Sequence, residues 1–446
     1  MRIGMIAMSG TRAFNPELTK LGLTLHGFVE RGKVIASLPS LGLLTLAGLT
    51  PPDITVEYHE IPDLDAIESP PAGLDAVAIS SFTAQIGQAY RLADRYRALG
   101  IPVILGGLHV SALPDEAALH ADAIVIGEGE PAWPSVIADL RRGALGARYD
   151  TRGESFDLAR APMPRFELLD IPRYNRLTVQ TQRGCPHSCE FCASSPTISP
   201  KYKLKPVEKV IAEIRRIKEL WARPFIELAD DNTFADKLHA RLLAKAMAKE
   251  DIRWFSETDV AVADDEELLR ILGDSGCAQL LIGFESPTAA GLDGLEQRAN
   301  WKLKRLDRYK RAVERIQSHG ITVNGCFVLG LDHTGLESFE DVARFVRESG
   351  LYEVQITVQT PFPGTALYRR LQDEKRLLYP GAWERYTLFD VNFRPTDMTV
   401  AELESGFRNL AGELYSARAT RARRGPFLRN EIRRRRGSAG HQPVEA

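Results

Sequence analysis

The feature that most limits the fold is a rhythm. Short apolar runs alternate with longer stretches of helical period, and this happens in two separate series. In the first, strand-like runs fall at RIGMIAM (2–8), ITVEYHE (54–60), DAVAIS (75–80), PVILGG (102–107) and DAIVIG (122–127). Helical patterns lie between them at 41–49, 84–99, 114–120 and 131–142. A strand that is apolar along its length is covered on both faces, and strands separated by helices run parallel. The second series has LTVQTQ (177–182), PFIELA (224–229), RWFSET (253–258), AQLLIGF (278–284), TVNGCFVL (322–329) and EVQITV (353–358). Helices are predicted near 205–221, 236–248, 265–275, 303–319 and 337–349.

These patterns predict an α/β chain in four parts. Residues 1–145 form a doubly wound flavodoxin- or Rossmann-like sheet. Residues 146–175, rich in Pro, Arg and Asp, form a linker. Residues 176–375 form a partial (β/α)6 barrel, and 376–446 form a small α-rich closing segment with a basic tail. Within that last part Thr399 is a candidate N-cap for a helix over 398–419. Arg418 to Arg436 contains nine arginines, read as a solvated tail or as a basic arm toward anionic lipid.

Bulk properties exclude several classes. The net charge of −2 gives no general pull toward nucleic acid. No long apolar run predicts a membrane span, and the start, MRIGMIAMSG, lacks the plan of a signal peptide. Five cysteines, an odd number, do not make a disulfide framework, so a reducing cytoplasm is the expected location.

Three of the five, Cys185, Cys189 and Cys192, crowd into RGCPHSCEFC (183–192), on the loop after the first barrel strand. Barrels place their chemistry at that end of the strands. Thiolates are soft ligands for iron–sulfur clusters or zinc. Three of them would bind three irons of a cubane and leave the fourth open. A zinc site completed by His187 or a distant cysteine, and a set of unliganded thiols, are the alternatives. Cys277 and Cys326 lie in apolar runs and read as core thiols.

The Cys-x3-Cys-x2-Cys spacing, with Phe191 before the last cysteine, resembles the signature of the radical S-adenosylmethionine (radical SAM) enzymes. The resemblance implies that Cys185, Cys189 and Cys192 hold a [4Fe-4S] cluster. SAM would chelate the open iron and be cleaved to a deoxyadenosyl radical, with an electron donor such as flavodoxin or ferredoxin. Polar residues at the other strand ends are the candidates to hold SAM. Asp230 or Asp231 would receive its amino group, Glu257 and Glu285 its ribose or amino-acid part, and Gly330 its adenine. The bland reading of each acid is a helix cap or a loop charge.

A βαβ domain ahead of such a barrel resembles the cobalamin-binding subgroup of that superfamily. The stretches that carry this are PSLGLLTLAGL (39–49), ISSF (79–82), LGGLHVSALPDEA (105–117) and IGEGE (126–130). Gly106 and Gly107 would admit a large planar ligand, with Ser80 and Ser81 beside it. The loop MSGTRAFNP (8–16) lacks the histidine that ligates cobalt in related mutases, and His109 is read as a loop residue. The resemblance implies methyl transfer to an unactivated carbon of a small molecule or lipid. A radical SAM oxidoreductase or cyclase, and a non-catalytic corrinoid- or metal-binding protein, are the rivals.

Overall fold

The computed structural model describes residues 1–8, 13–15, 17–18, 38–193, 199 and 201–439, with side chains as far as 432. Most of the loop inspected for a cobalt-ligating histidine, residues 9–12 and 16, lies outside the described residues.

The first sheet has six parallel strands: β1 (Arg2–Met8), β2 (Thr55–Glu60), β3 (Ala76–Ser81), β4 (Val103–Gly106), β5 (Ala123–Ile126) and β6 (Arg148–Asp150). Their spatial order is β2-β1-β3-β4-β5-β6. The period of two explains why β1 is apolar along nearly its whole length. Ile3, Met5 and Ala7 of β1 face Leu43 of helix α1 (Leu41–Leu49) and Trp133 of α3 (Gly129–Arg141). Ile6 and Met8 face the other way, toward Ala89 and Leu92 of α2 (Ile86–Ala98).

The sixth strand was not expected. RYD (148–150) falls in the stretch read as linker, because a short edge strand with one neighbour and exposed ends carries no apolar run. The chain after it continues through 3-10 turns, as at Leu158–Arg160 and Phe166–Leu168.

The second sheet is also all parallel: β7 (Leu177–Val179), β8 (Phe225–Leu228), β9 (Arg253–Thr258), β10 (Cys277–Glu285), β11 (Thr322–Leu329) and β12 (Glu353–Val358). The strands lie side by side in chain order. With helices between them, as the second series predicts, this is a six-stranded open barrel whose strand ends share one mouth.

The closing segment touches both sheets. Trp383 and Tyr386 pack with Ile61 and Ile86 against the first. Helix α10 (Val400–Leu414) starts in a full capping box, Thr399 with Glu402, and packs Leu403 and Phe407 into the barrel core. The arginine-rich stretch is no free tail over its first part. It continues as helix α11 (Ala417–Ala439), and Arg423, 7% exposed, donates to Glu353 at 2.8 Å, with Arg424 bonded to the same carboxylate.

Gly330, at the end of β11, has φ +79°, and a Cβ there would lie 2.7 Å from Leu403 and 3.1 Å from Phe393. The glycine lets the closing helix seat on the barrel. Gly330→Ala should therefore cost about 1–3 kcal/mol of stability, read as a lower urea midpoint; an unchanged midpoint would show that this contact is slack.

Candidate active site between the two sheets

The cysteine loop is fastened before it begins. Asp230, at the end of β8, accepts from the Thr181 and Gln182 backbone amides at 2.8 and 3.0 Å. It also accepts from the hydroxyls of Thr181 and Thr233, at 2.5 and 3.1 Å. These four donors occupy both carboxylate oxygens, so Asp230 is committed to the loop backbone. Burial still outweighs them and pushes its pKa up to about 6. The chain then forms a two-residue antiparallel ladder, Gln182–Arg183 with Lys203–Leu204. Gly184 makes the turn into Cys185 at φ +86°, where a Cβ would collide with Lys201 O at 2.6 Å.

Further ties hold the loop's outer side. Ser188 N donates to Glu296 and Glu190 N to Leu295 O. Arg370 makes a two-pronged bond to Glu190 at 2.5 and 2.9 Å. The His187 ring bonds Asp259 at 3.1 Å and lies 4.5 Å from the Trp301 ring, so it is engaged in positioning the loop. All three thiols are half-buried and free of disulfides. Burial pushes Cys185 up to about 11 and Cys189 to about 12, with a smaller upward push on both from the neighbouring Cys192. Three soft donors on one braced turn suit a cluster that takes one sulfur per iron.

The other strand ends contribute unequally. Asp231 lines the cavity described below. Glu257 lies inside the barrel, and burial, then Glu227, Asp231 and Asp230, push it up to about 8. Glu285 takes φ +63°, unusual for a side-chain residue, and receives the buried Lys302 at 2.8 Å. Burial alone would lower the Lys302 pKa, but Glu285 and Cys189 hold it raised. Lys302 is therefore a fixed positive charge beside the cysteine loop. Gly330 lies against the closing helix. Cys277 is buried as expected, at 4% exposure. Cys326 is only half-buried and feels Glu257 and Glu285, which places it on the inner face of the barrel.

The mouth of the barrel faces the carboxyl edge of the first sheet across a cavity of about 300 Å³. Leu43, Leu46, Ile104, Val125 and Trp133 make its apolar wall, and Ser80, Gly106, Gly107, Gln182 and Asp231 line it as well. Ser81 is turned away, donating to Phe82 O at 3.0 Å. Gly107 has φ +109°, which only glycine adopts freely, and at Gly42 a Cβ would meet nothing within 4 Å. The buried amide of Gln182 has neither of its polar atoms bonded. A wall kept bare by glycines, an apolar face and an amide in want of a partner fit a large, flat, partly polar ligand such as cobalamin.

One cluster of charges joins the two sheets at this cavity. Arg183 reaches Glu128 and Glu130, each at 2.7 Å, and Lys203 bonds Glu128 as well.

Comparison with known proteins agrees with this division of labour. A Radical SAM superfamily model matches residues 179–346, and a B12 binding domain model matches 39–137. The chain is a radical SAM enzyme with a B12-binding domain. Its cofactors are accordingly a [4Fe-4S] cluster, SAM and cobalamin. A further model, a domain of unknown function (DUF4070), matches the closing segment at 365–443. The chain is 29% identical to the bacteriochlorophyllide d C-12(1)-methyltransferase of Chlorobaculum tepidum, over 88% of this chain and 85% of that one. It is 28% identical to the hopanoid C-2 methylase of Rhodopseudomonas palustris, over 82% and 70%. The radical SAM methyltransferase TsrM of Kitasatospora setae shares the fold, with a TM-score of 0.64 at 13% identity over 98% and 99% of the two chains.

Sequence reasoning missed Lys302, Arg183 and the pair Glu128 and Glu130. The last two stand in IGEGE, where acids within an apolar, glycine-rich stretch are the one local sign of a buried partner.

Two outcomes follow for the cofactor-free and reconstituted chain. Asp230→Ala strands two buried amides at about 1–3 kcal/mol each, so reconstituted protein should hold well under half the wild-type iron, as counted by iron assay and cluster absorbance. Glu257 is raised from its ordinary 4.5 to about 8, so the fold favours its protonated form. Its contribution is complete below about 4.5 and is lost as pH rises through about 8. Glu257→Gln should flatten the fall in stability across that window; an unchanged pH profile would contradict the burial of its charge.

Proposed function

We propose that this enzyme transfers a methyl group to an unactivated carbon of a small-molecule or lipid substrate. The observation that carries the reading is the shared cavity, walled on one side by the glycine-lined sheet edge and on the other by the barrel mouth. On this reading residues 1–145 hold cobalamin, 176–375 hold the cluster and SAM, and 376–446 close the mouth. When bound, the cluster and SAM supply a carbon-centred radical and cobalamin supplies the methyl group.

The chain's own residues bind, orient and shield. Cys185, Cys189 and Cys192 hold the cluster. Lys302, paired with Glu285, places a positive charge beside Cys189, where it favours the electron-rich state of whatever the loop carries. Glu257 keeps its carboxyl proton at neutral pH and can donate a hydrogen bond to a ribose or carboxylate oxygen of SAM. Asp231 faces the cavity, where it can receive the SAM amino group, while Asp230 holds the loop. Gly106, Gly107 and Ser80 cradle cobalamin, and the unbonded amide of Gln182 meets its polar rim. The electron comes from a carrier such as flavodoxin or ferredoxin. Leu428 and Ile432, exposed on α11 near Arg429, suit peripheral contact with an anionic lipid surface.

The relatives named for methylating a bacteriochlorophyllide and a hopanoid, at 29% and 28% identity, support methyl transfer; the anaerobic magnesium-protoporphyrin IX monomethyl ester cyclase of Rubrivivax gelatinosus, at 24%, keeps cyclisation as the second reading. The deciding experiment is an anaerobic incubation of reconstituted enzyme with reductant and SAM, with and without methylcobalamin. Methyl transfer predicts deoxyadenosine together with S-adenosylhomocysteine when cobalamin is present. Deoxyadenosine alone would point to an oxidoreductase or cyclase, and activity retained in Cys189→Ala would sink the cluster assignment.

A further inference from the structure

A second cavity, of about 190 Å³, lies beside the first and shares Leu108 with it. Four parts of the chain meet around it. Phe82 follows β3, His109 lies in a short helix after β4 (Leu108–Ala112) and not in the loop the sequence suggested, Ala193 follows Cys192, Phe362 follows β12, and Tyr386 and Leu388 belong to the closing segment. It therefore opens beside the end of the cysteine loop.

Its polar side chains are already committed. His109, 1% exposed, has one ring nitrogen 3.3 Å from the Thr83 hydroxyl and the other 3.2 Å from Glu116. Glu116 also receives the Trp383 indole at 3.0 Å and the Tyr90 hydroxyl at 3.1 Å. The Tyr386 hydroxyl donates to Tyr379 O at 3.3 Å, and the Thr387 hydroxyl donates to Asp390 at 2.5 Å. Among the described residues, every hydrogen-bonding side chain on the wall already has a partner, so a charged or strongly polar occupant would lose hydration with little compensation. Phe82, meanwhile, is 48% exposed, a large apolar side chain that gains by being covered.

We propose that this cavity is the substrate's apolar subsite, which takes an uncharged, ring-sized hydrocarbon portion of the substrate and holds it beside Ala193. The size argues for one ring with small substituents, since a dry cavity of roughly 150 Å³ accommodates benzene. The rest of a larger substrate must lie outside it. The word substrate rests on the methyl-transfer reading; the affinity for a hydrocarbon does not.

The test uses the full chain without cofactors and fluorobenzene as the probe, followed by 19F NMR. Saturable binding is expected, about tenfold weaker in Ala84→Trp, which fills the cavity, and weakened in Phe82→Ala. 4-Fluorobenzoate, the same ring with a charge, should bind about tenfold more weakly than fluorobenzene. Because Phe82 is exposed, its variant keeps the core intact and decides the matter even if Ala84→Trp does not fold. Absence of saturable binding, equal binding to both variants and the wild type, or equal binding of the benzoate would overturn the proposal. Failure of the methyl-transfer reading shows elsewhere, as a loaded enzyme that forms no S-adenosylhomocysteine while still taking up fluorobenzene.

Discussion

The buried charge cluster of Arg183, Glu128, Glu130 and Lys203 sets the relation between the two halves of this enzyme. Glu128 and Glu130 stand just past the end of β5, and Arg183 and Lys203 form the ladder that launches the cysteine loop. Two cations meet two carboxylates, and the side chains are between 2% and 17% exposed. Burial alone would raise the Glu128 pKa, but Lys203, the Phe156 amide and Arg183 together hold it below the usual carboxylate range. Glu128 thus also ties the segment after β6 into the same knot, through Phe156 N at 2.9 Å.

Such a cluster does more for geometry than for stability. A buried ion pair roughly offsets its own desolvation, whereas removing one partner costs about 3–5 kcal/mol. An apolar contact in this place would tolerate sliding; a forked Arg183 with a carboxylate on each arm does not. The carboxyl edge of the first sheet is thereby fixed against the barrel mouth, with the cysteine loop two residues from the fork. Asp230 and Gly184 hold the same loop from the barrel side, so its start is constrained from both directions.

The alternation of apolar runs and helices was enough to place five strands of the first sheet and all six of the second, because most of these strands bury side chains on both faces and so leave an apolar record. The strand RYD left none, since an edge strand with exposed ends is chemically a loop. The cysteine triad was legible for a similar reason: its chemistry lies within eight consecutive residues. What the sequence does not display are partnerships across distance. Arg183 and Glu128 are 55 positions apart, and Lys302 enters from a short irregular segment before α7 (Tyr309–Ser318) to meet Glu285. Asp230 and Asp231 look alike in sequence, yet one is consumed by four donors and the other lines the cavity. The arginines after residue 417 resemble a solvated tail until Glu353, buried at the start of β12, is seen to bind Arg423 and Arg424.

The charge cluster holds the edge of the first sheet against the start of the cysteine loop across one cavity, and on the proposed reading this brings cobalamin and the cluster close together. The most direct measurement is electron paramagnetic resonance of the doubly loaded enzyme, comparing the cob(II)alamin signal with the iron–sulfur cluster oxidised and reduced. Reduction is expected to broaden or split the cobalt lines through magnetic coupling, and Arg183→Met to weaken this effect. Superimposable cobalt spectra in the two cluster states would contradict it.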